Sequence, residues 1–137
     1  MGKNIINFIV VTIIALISLT YVHEIGHATM AKMYDCDSKS IIFDNSLVSY
    51  TIVSCKKGYE MIALGGLIFS SLFSLLFIIF GREYFLMSIS LSILLSLEDL
   101  SLFLNPLLPI GLAAFLSFLS YFYLFDSSKL KKKENFL

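Results

Sequence analysis

Long apolar runs divide this sequence and leave few folds open to it. A helix needs about 20 mostly apolar residues to cross a hydrocarbon core about 30 Å thick. Such stretches lie at about residues 4–34, 59–80, 84–104 and 107–125, the first being apolar to about residue 22 and continuing as helix. Short turns containing Gly or Pro separate the last three, so consecutive helices should be antiparallel neighbours. We therefore predict an all-α, integral, multi-pass membrane protein with four transmembrane helices.

Composition agrees with a lipid environment and argues against other classes of protein. Of the 137 residues, 58% are hydrophobic and 15% charged, whereas a soluble domain carries about 25% charged residues. Richness in Leu, Ile and Phe excludes a disordered chain. The formal net charge is zero, which disfavours a nucleic-acid partner because no basic excess neutralises phosphates. We expect a single domain over residues 1–137, embedded in the lipid bilayer.

The polar segment at about residues 35–58 predicts a small β-hairpin inserted between the first and second spans. Two short runs rich in β-branched and aromatic residues surround a turn cluster at residues 44–46. An isolated hairpin is marginally stable in water, so this one should rest on the helices or at the membrane interface. Cys36 and Cys55 flank it, either facing each other across its base or as free thiols, which are expected in a cytosolic loop. Residues 126–137 form a basic tail that we expect to be solvated.

Ionisable residues near the end of the first run point to chemistry, since an Asp near the centre of a membrane helix costs at least about 2.5 kcal/mol. His23 and His27 are four residues apart, so on a helix their imidazoles share one face and can bind one metal ion. Glu24 is turned about 100° from His23, where a general base would activate a metal-bound water. The pattern predicts a zinc site with Glu24 as the catalytic base. The alternative is a hydrogen-bonded cluster without metal.

A catalytic zinc ion usually has three protein ligands, so the histidine pair needs a partner from another span. Glu98 and Asp99, near the end of the third run, are the candidates, and the helix period lets only one of them face the histidines. Asp99 continues a polar stripe, and small polar residues mark faces where membrane helices approach closely. The stripe consists of Ser88, Ser92, Ser96 and Asp99. We predict Asp99 as the third ligand and Glu98 as a supporting residue or proton route. An Asp99–histidine pair without metal is the alternative.

A series of small residues in the second run predicts a closely packed helix face. Gly66, Ser70 and Ser74 recur at every fourth position, which places them on one side of a helix. We expect this face to pack against the helix that carries the histidines.

The HEIGHA sequence at residues 23–28, followed by Ala31-Lys32 and a short β segment, resembles the zinc-site helix of the site-2 protease family of intramembrane metalloproteases. The LGG sequence at residues 64–66 is similar to the opening of that family's second core helix. The resemblance covers roughly residues 15–80. It implies a three-helix catalytic core, zinc held by two His and one Asp, a Glu base, and hydrolysis of a peptide bond in a transmembrane protein substrate. It also implies that the hairpin holds an unwound substrate strand by edge pairing.

The chain departs from that family's pattern in and after the third run. The family places an Asn about eight residues before an Asp-Gly pair, with prolines between them. Asn105-Pro106 resembles the first half, but Ala113 and Ala114 stand where the Asp should follow. We expect Asp99 to have taken over the ligand role. The alternative is an inactive relative that binds a membrane-protein partner or serves as a subunit of a complex.

Asn105 has two interpretations. It is a candidate for positioning a substrate backbone, although a role as a turn residue before Pro106 is the simpler interpretation.

Membrane orientation is also open, because the resemblance implies a cytosolic hairpin and active site. Positive-inside counting favours cytosolic termini instead, with six basic residues on the side of the termini against four on the hairpin side.

These residues together predict a zinc-dependent intramembrane endopeptidase in which His23, His27 and Asp99 bind Zn²⁺ and Glu24 activates a zinc-bound water. A membrane metal-binding or transport protein could use the same cluster. A transporter should carry ionisable residues at several depths, whereas the interiors of the second and fourth runs have none. The sequence therefore favours the protease.

Overall fold

A computed structural model describes residues 2–43, 49–55 and 57–134 of the chain, with side chains described within residues 5–124. The architecture is mostly helical, with one small antiparallel hairpin between the first two helices. In chain order the elements are α1 (Gly2–Met33), β1 (Asp37–Ile41), β2 (Tyr50–Ser54), α2 (Tyr59–Ser74), a short 3-10 helix (Leu75–Ile79), α3 (Arg82–Leu95), α4 (Leu97–Ser101) and α5 (Leu107–Glu134). A mostly helical chain with a small hairpin after the first helix, as predicted, is confirmed.

Three helical stretches among the described residues are long and apolar enough to cross a membrane: Ile5–Met33, Tyr59–Ile79 and Leu107–Leu124. They correspond to the first, second and fourth predicted spans and indicate an integral membrane protein. Four transmembrane helices are not confirmed, because the third predicted span is not one helix. At the other end of the chain, α5 continues to Glu134, through much of the segment predicted to be a solvated tail.

The third predicted span is divided at Ser96 into α3, of 14 residues, and α4, of 5 residues. Ser96 has φ −93° and ψ 12°, outside the helical region. Its hydroxyl donates to the carbonyl of Ser92 at 2.9 Å, a local bond that competes with the helical ladder and often bends a helix. The helix is therefore interrupted three residues before Asp99.

The hairpin is closed at its base by a disulfide. β1 and β2 pair antiparallel with Asp37 opposite Ser54, and Cys36 and Cys55 extend this register by one pair. They form a disulfide with their Cα atoms 5.1 Å apart, a separation suited to a cross-link. The cysteines face each other across the base, as one of the two predictions has it. The other prediction, free thiols in a cytosolic loop, is wrong for this structure. The predicted turn cluster at residues 44–46 lies outside the described residues.

The turn after α1 brings the hairpin back onto that helix. Asp35 has a left-handed φ of 53°, a conformation that Asp tolerates better than most residues. Its N–H donates to the carbonyl of Lys32 at 3.2 Å, and the N–H of Cys36 donates to the carbonyl of Ala31 at 3.0 Å. This pair of bonds is a Schellman motif, which ends a helix and reverses the chain. Both strands consequently contact α1.

Glycines bring α1 and α2 into close contact. A Cβ on Gly26 would lie 2.8 Å from the carbonyl carbon of Gly65, and a Cβ on Gly65 would lie 2.7 Å from the Gly26 oxygen. Small residues allow such close approach of membrane helices. Further along α2, the Ser70 hydroxyl lies 2.5 Å from the Ser92 hydroxyl of α3. The predicted small-residue face therefore divides between two partners and does not pack on α1 alone.

Candidate metal centre

Two helices bring three donor atoms together. His23 and His27 on α1 are buried, and their Nε2 atoms lie 3.0 Å apart. The Oδ2 of Asp99, on α4, lies 3.3 Å from each of those nitrogens. The structure thus brings together the two histidines and the aspartate that the sequence singled out.

The spacing of these atoms suits a tetrahedral metal ion. Ligand atoms that lie about 2.0–2.1 Å from a tetrahedral zinc ion are about 3.3 Å from one another. The observed separations of 3.0, 3.3 and 3.3 Å are close to that value. Two imidazoles and one carboxylate are also a donor set of catalytic zinc sites, which keep a fourth position open. The cluster is therefore compatible with zinc.

Hydrogen bonds on the far side of each imidazole orient Nε2 towards the cluster. His27 Nδ1 lies 2.7 Å from the carbonyl oxygen of Ile62, which can only accept, so Nδ1 carries the hydrogen. His23 Nδ1 lies 3.3 Å from the Ser96 hydroxyl, whose own hydrogen goes to the carbonyl of Ser92. The Ser96 oxygen can therefore accept from His23 Nδ1. With a hydrogen on each Nδ1, both rings would present an Nε2 lone pair, the form that ligates a metal.

Gly66 makes room for both rings although it supplies no ligand. A Cβ at this position would lie 2.6 Å from His23 Nδ1 and 2.6 Å from His27 Nε2, closer than side-chain atoms pack. The sequence predicted Gly66 as a packing residue, and here the space that it leaves is occupied by the imidazoles. The close contact of α1 with α2 and the position of the histidines are therefore linked.

Glu24 lies beside the cluster and is held by the hairpin. It is 4% exposed, and within the described part of the chain its carboxylate is not a member of the three-residue cluster. The Thr51 hydroxyl donates to Glu24 Oε2 at 2.6 Å. Ser40, opposite Thr51 in the strand register, lies 2.9 Å from it, hydroxyl to hydroxyl. The sequence does not predict these two contacts, because the strand register and the docking of the hairpin decide them.

A cavity of about 470 Å³ lies between the hairpin and the helices. The cluster and Glu24 contribute polar atoms to its wall, strand β2 lines one side, and polar and apolar side chains share the remainder. Residues outside the cluster include Tyr50, Thr51, Val53, Tyr59, Ile62 and Ser101. A cleft on which polar groups converge is the usual form of a substrate site.

The structure separates the other two predicted site residues from the cluster. Glu98 lines the cavity and is exposed, so the helix period turns Asp99 and not Glu98 towards the histidines. Asn105 is exposed and is not part of the cavity wall. Its Oδ1 accepts the N–H of Leu107 at 3.0 Å, which is the contact of an N-cap at the start of α5. Its predicted contact with a substrate remains a prediction.

Comparison with known proteins gives a match to a protein family. A family model described as Peptidase M50B-like matches residues 5–133, a range that includes α1, the hairpin and Asp99. No curated protein and no solved structure matches the chain.

Proposed function

The chain belongs to the Peptidase M50B-like family, and on that premise we propose that it is a zinc-dependent endopeptidase that cleaves a transmembrane protein within the membrane. Membership confirms the resemblance to the site-2 proteases, and M50 peptidases are zinc metalloproteases. One observation carries the proposal for this chain: the donor atoms of His23, His27 and Asp99 converge from two helices to within 3.3 Å. Glu24 lies buried beside them.

In this proposal His23, His27 and Asp99 hold zinc, and Glu24 is the general base. Zinc in such a site acts as a Lewis acid that activates water and polarises a peptide carbonyl. Glu24 takes a proton from the attacking water while the new carbon–oxygen bond forms. The same carboxyl group then gives that proton to the amide nitrogen as the carbon–nitrogen bond breaks. A base that is not itself a ligand fits this step, and Glu24 lies outside the ligand cluster.

We further propose that α3 and α4 together form the third of four membrane crossings in one membrane-embedded domain. Residues 82–101 would extend about 30 Å if helical throughout, enough for the hydrocarbon core. α3 contacts α1, α2 and α5, and its serines Ser88, Ser90 and Ser92 are fully buried. A helix surrounded by other helices does not need an apolar surface towards lipid. This position explains why the segment is more polar than the other three.

We propose that the hairpin presents the substrate to the metal centre as an extended strand. Residues Ser49–Thr51 and Val53 line the cavity, and within the described sheet β2 pairs with β1 along one edge. The opposite edge can add an extended strand of substrate through main-chain hydrogen bonds. An extended segment exposes its peptide bonds to attack, whereas a helical one shields them. We therefore propose that the transmembrane substrate unwinds and pairs along β2.

The proposal is tested by measuring bound zinc and cleavage in the purified chain, with a panel of transmembrane peptides that carry a fluorophore and a quencher. Glu24→Gln should keep zinc and lose cleavage by about 10²- to 10⁴-fold, the usual contribution of a general base. Asp99→Ala should lose zinc, whereas the matched variant Glu98→Ala should keep it. Full zinc occupancy in Asp99→Ala would reject the third ligand. Wild-type protein that binds zinc but cleaves no peptide of the panel would instead indicate an inactive relative that binds a membrane partner.

A further inference from the structure

The hairpin places a hydroxyl group directly on the carboxylate of the general base. We propose that Thr51 is a positioning residue that holds Glu24 in the orientation of a base, an inference that rests on the proposed function. Thr51 Oγ1 lies 2.6 Å from Glu24 Oε2. Glu24 is 4% exposed, so bulk water has little access to compete for this bond.

The direction of the bond between Thr51 and Glu24 follows from their donors and acceptors. Each hydroxyl has one hydrogen to donate, and an ionised carboxylate can only accept. Thr51 therefore donates to the Glu24 carboxylate. The Ser40 hydroxyl lies 2.9 Å from the Thr51 oxygen and 3.4 Å from the main-chain carbonyl oxygen of Glu24, so either can accept its hydrogen. The bond from Thr51 to Glu24 is charge-assisted, and bonds of this kind are stronger than neutral ones.

Strand register delivers Thr51 to this position. Along β2, Thr51 and Val53 are half-buried, while Tyr50, Ile52 and Ser54 are exposed. A slip of one residue would exchange these two sets and present Tyr50 or Ile52 to Glu24. The disulfide between residues 36 and 55 continues the register that pairs Thr51 with its partner strand, so the covalent link opposes such a slip.

The bond has a consequence for the chemistry of Glu24. A free carboxylate next to His23 and His27 can turn towards a bound cation and occupy the position that water needs. The Thr51 hydroxyl retains Oε2 on the hairpin side, which assigns the proton taken from water to Oε1. Loss of the hydroxyl should therefore slow the chemical step and leave zinc binding and substrate binding intact.

The kinetic test compares Thr51→Val, which removes the hydroxyl at similar volume, with Thr51→Ser, which keeps it. We expect Thr51→Val to lower kcat by about 10- to 100-fold, the range for a hydrogen bond to a charged group, with KM and bound zinc unchanged. Thr51→Ser should recover most of kcat. Thr20→Val is the matched control, since the Thr20 hydroxyl bonds within its own helix, to the carbonyl of Leu16. A wild-type kcat in Thr51→Val, or equal losses in Thr51→Val and Thr51→Ser, would overturn the proposal.

A second readout does not depend on activity. The carboxylate stretching band of Glu24 is isolated in the metal-free chain as the infrared difference between wild type and Glu24→Gln. We expect this band to shift in Thr51→Val and to return in Thr51→Ser. An unchanged band in Thr51→Val overturns the positioning role whether or not the chain cleaves peptides. A shifted band in a chain that cleaves nothing supports the hydrogen bond and counts against the proposed function alone.

Discussion

The two halves of the candidate metal centre are built in different ways. His23 and His27 lie on α1, an uninterrupted helix of 32 residues, whose period alone sets their spacing. Asp99 lies on α4, a helix of 5 residues that begins only after the break at Ser96. Counted along straight helices, Asp99 and the histidines would differ in depth by about 6–12 Å. One helix can thus place two ligands by its period, whereas the position of a ligand from another helix depends on how the two helices pack.

One added methyl group should disturb the two histidine ligands on α1, and we expect this change to have the largest effect on cleavage and zinc binding. In Gly66→Ala the new Cβ would lie 2.6 Å from a nitrogen of each imidazole, so the rings must move. A displacement of about 1 Å can cost on the order of 100-fold in rate, and we expect at least that loss of cleavage together with weaker zinc binding. Calorimetric zinc titration and cleavage assays measure both.

Gly111→Ala is the matched control for this variant. A Cβ at Gly111 meets no atom within 4 Å, so zinc binding and cleavage should stay at wild-type levels. Wild-type zinc affinity in Gly66→Ala would show that the histidines do not depend on the α1–α2 contact.

The part of the centre on α3 and α4 depends on the hydrogen bonds at Ser96. We expect a smaller effect on zinc affinity when they are removed. Ser96→Ala removes the partner of His23 Nδ1 and the side-chain bond at the break. Loss of a residue that orients a ligand typically costs about 10- to 100-fold in metal affinity, and we expect a decrease of that size. Competition with a fluorescent zinc chelator gives the affinity.

The control for Ser96→Ala lies on the face of α3 that contacts α5. Ser90 is also fully buried, but its hydroxyl donates to the carbonyl of Ala113 in α5. Ser90→Ala should therefore leave zinc affinity unchanged. Equal decreases in the two variants would attribute the effect to helix packing and not to the orientation of His23.

The smallest effect is expected at the far end of the broken span, where Asn105 caps α5. Asn105→Ala removes the bond to the Leu107 N–H and should lower stability by about 1 kcal/mol, as loss of an N-cap does. Asn105→Ser, which can still cap, should stay close to wild type. Thermal unfolding measures the difference, and cleavage should be unchanged in both. A loss of kcat in both variants without a change in unfolding would instead place Asn105 at the substrate.

The sequence alone predicts the candidate ligands and the candidate base, for reasons that differ from residue to residue. The His23, Glu24 and His27 arrangement follows from the helix period, which holds wherever the helix packs. Serines share the face of Asp99, and small polar residues indicate contact with other helices, which favours Asp99 over Glu98 as the ligand. The third predicted span is not confirmed as a single helix, because the backbone leaves the helical region at Ser96, a break that the apolar pattern does not indicate.

By itself, the sequence determined the apolar runs, the hairpin and the spacing of the histidines, since these depend on composition and on periods within one segment. Only the tertiary structure decided which residues support Glu24 and His23. Thr51 reaches Glu24 and Ser96 reaches His23 over separations of 27 and 73 residues, and no local period extends across such distances. Contacts of this kind arise from strand register and helix docking, which the chain settles only when its separate segments pack together.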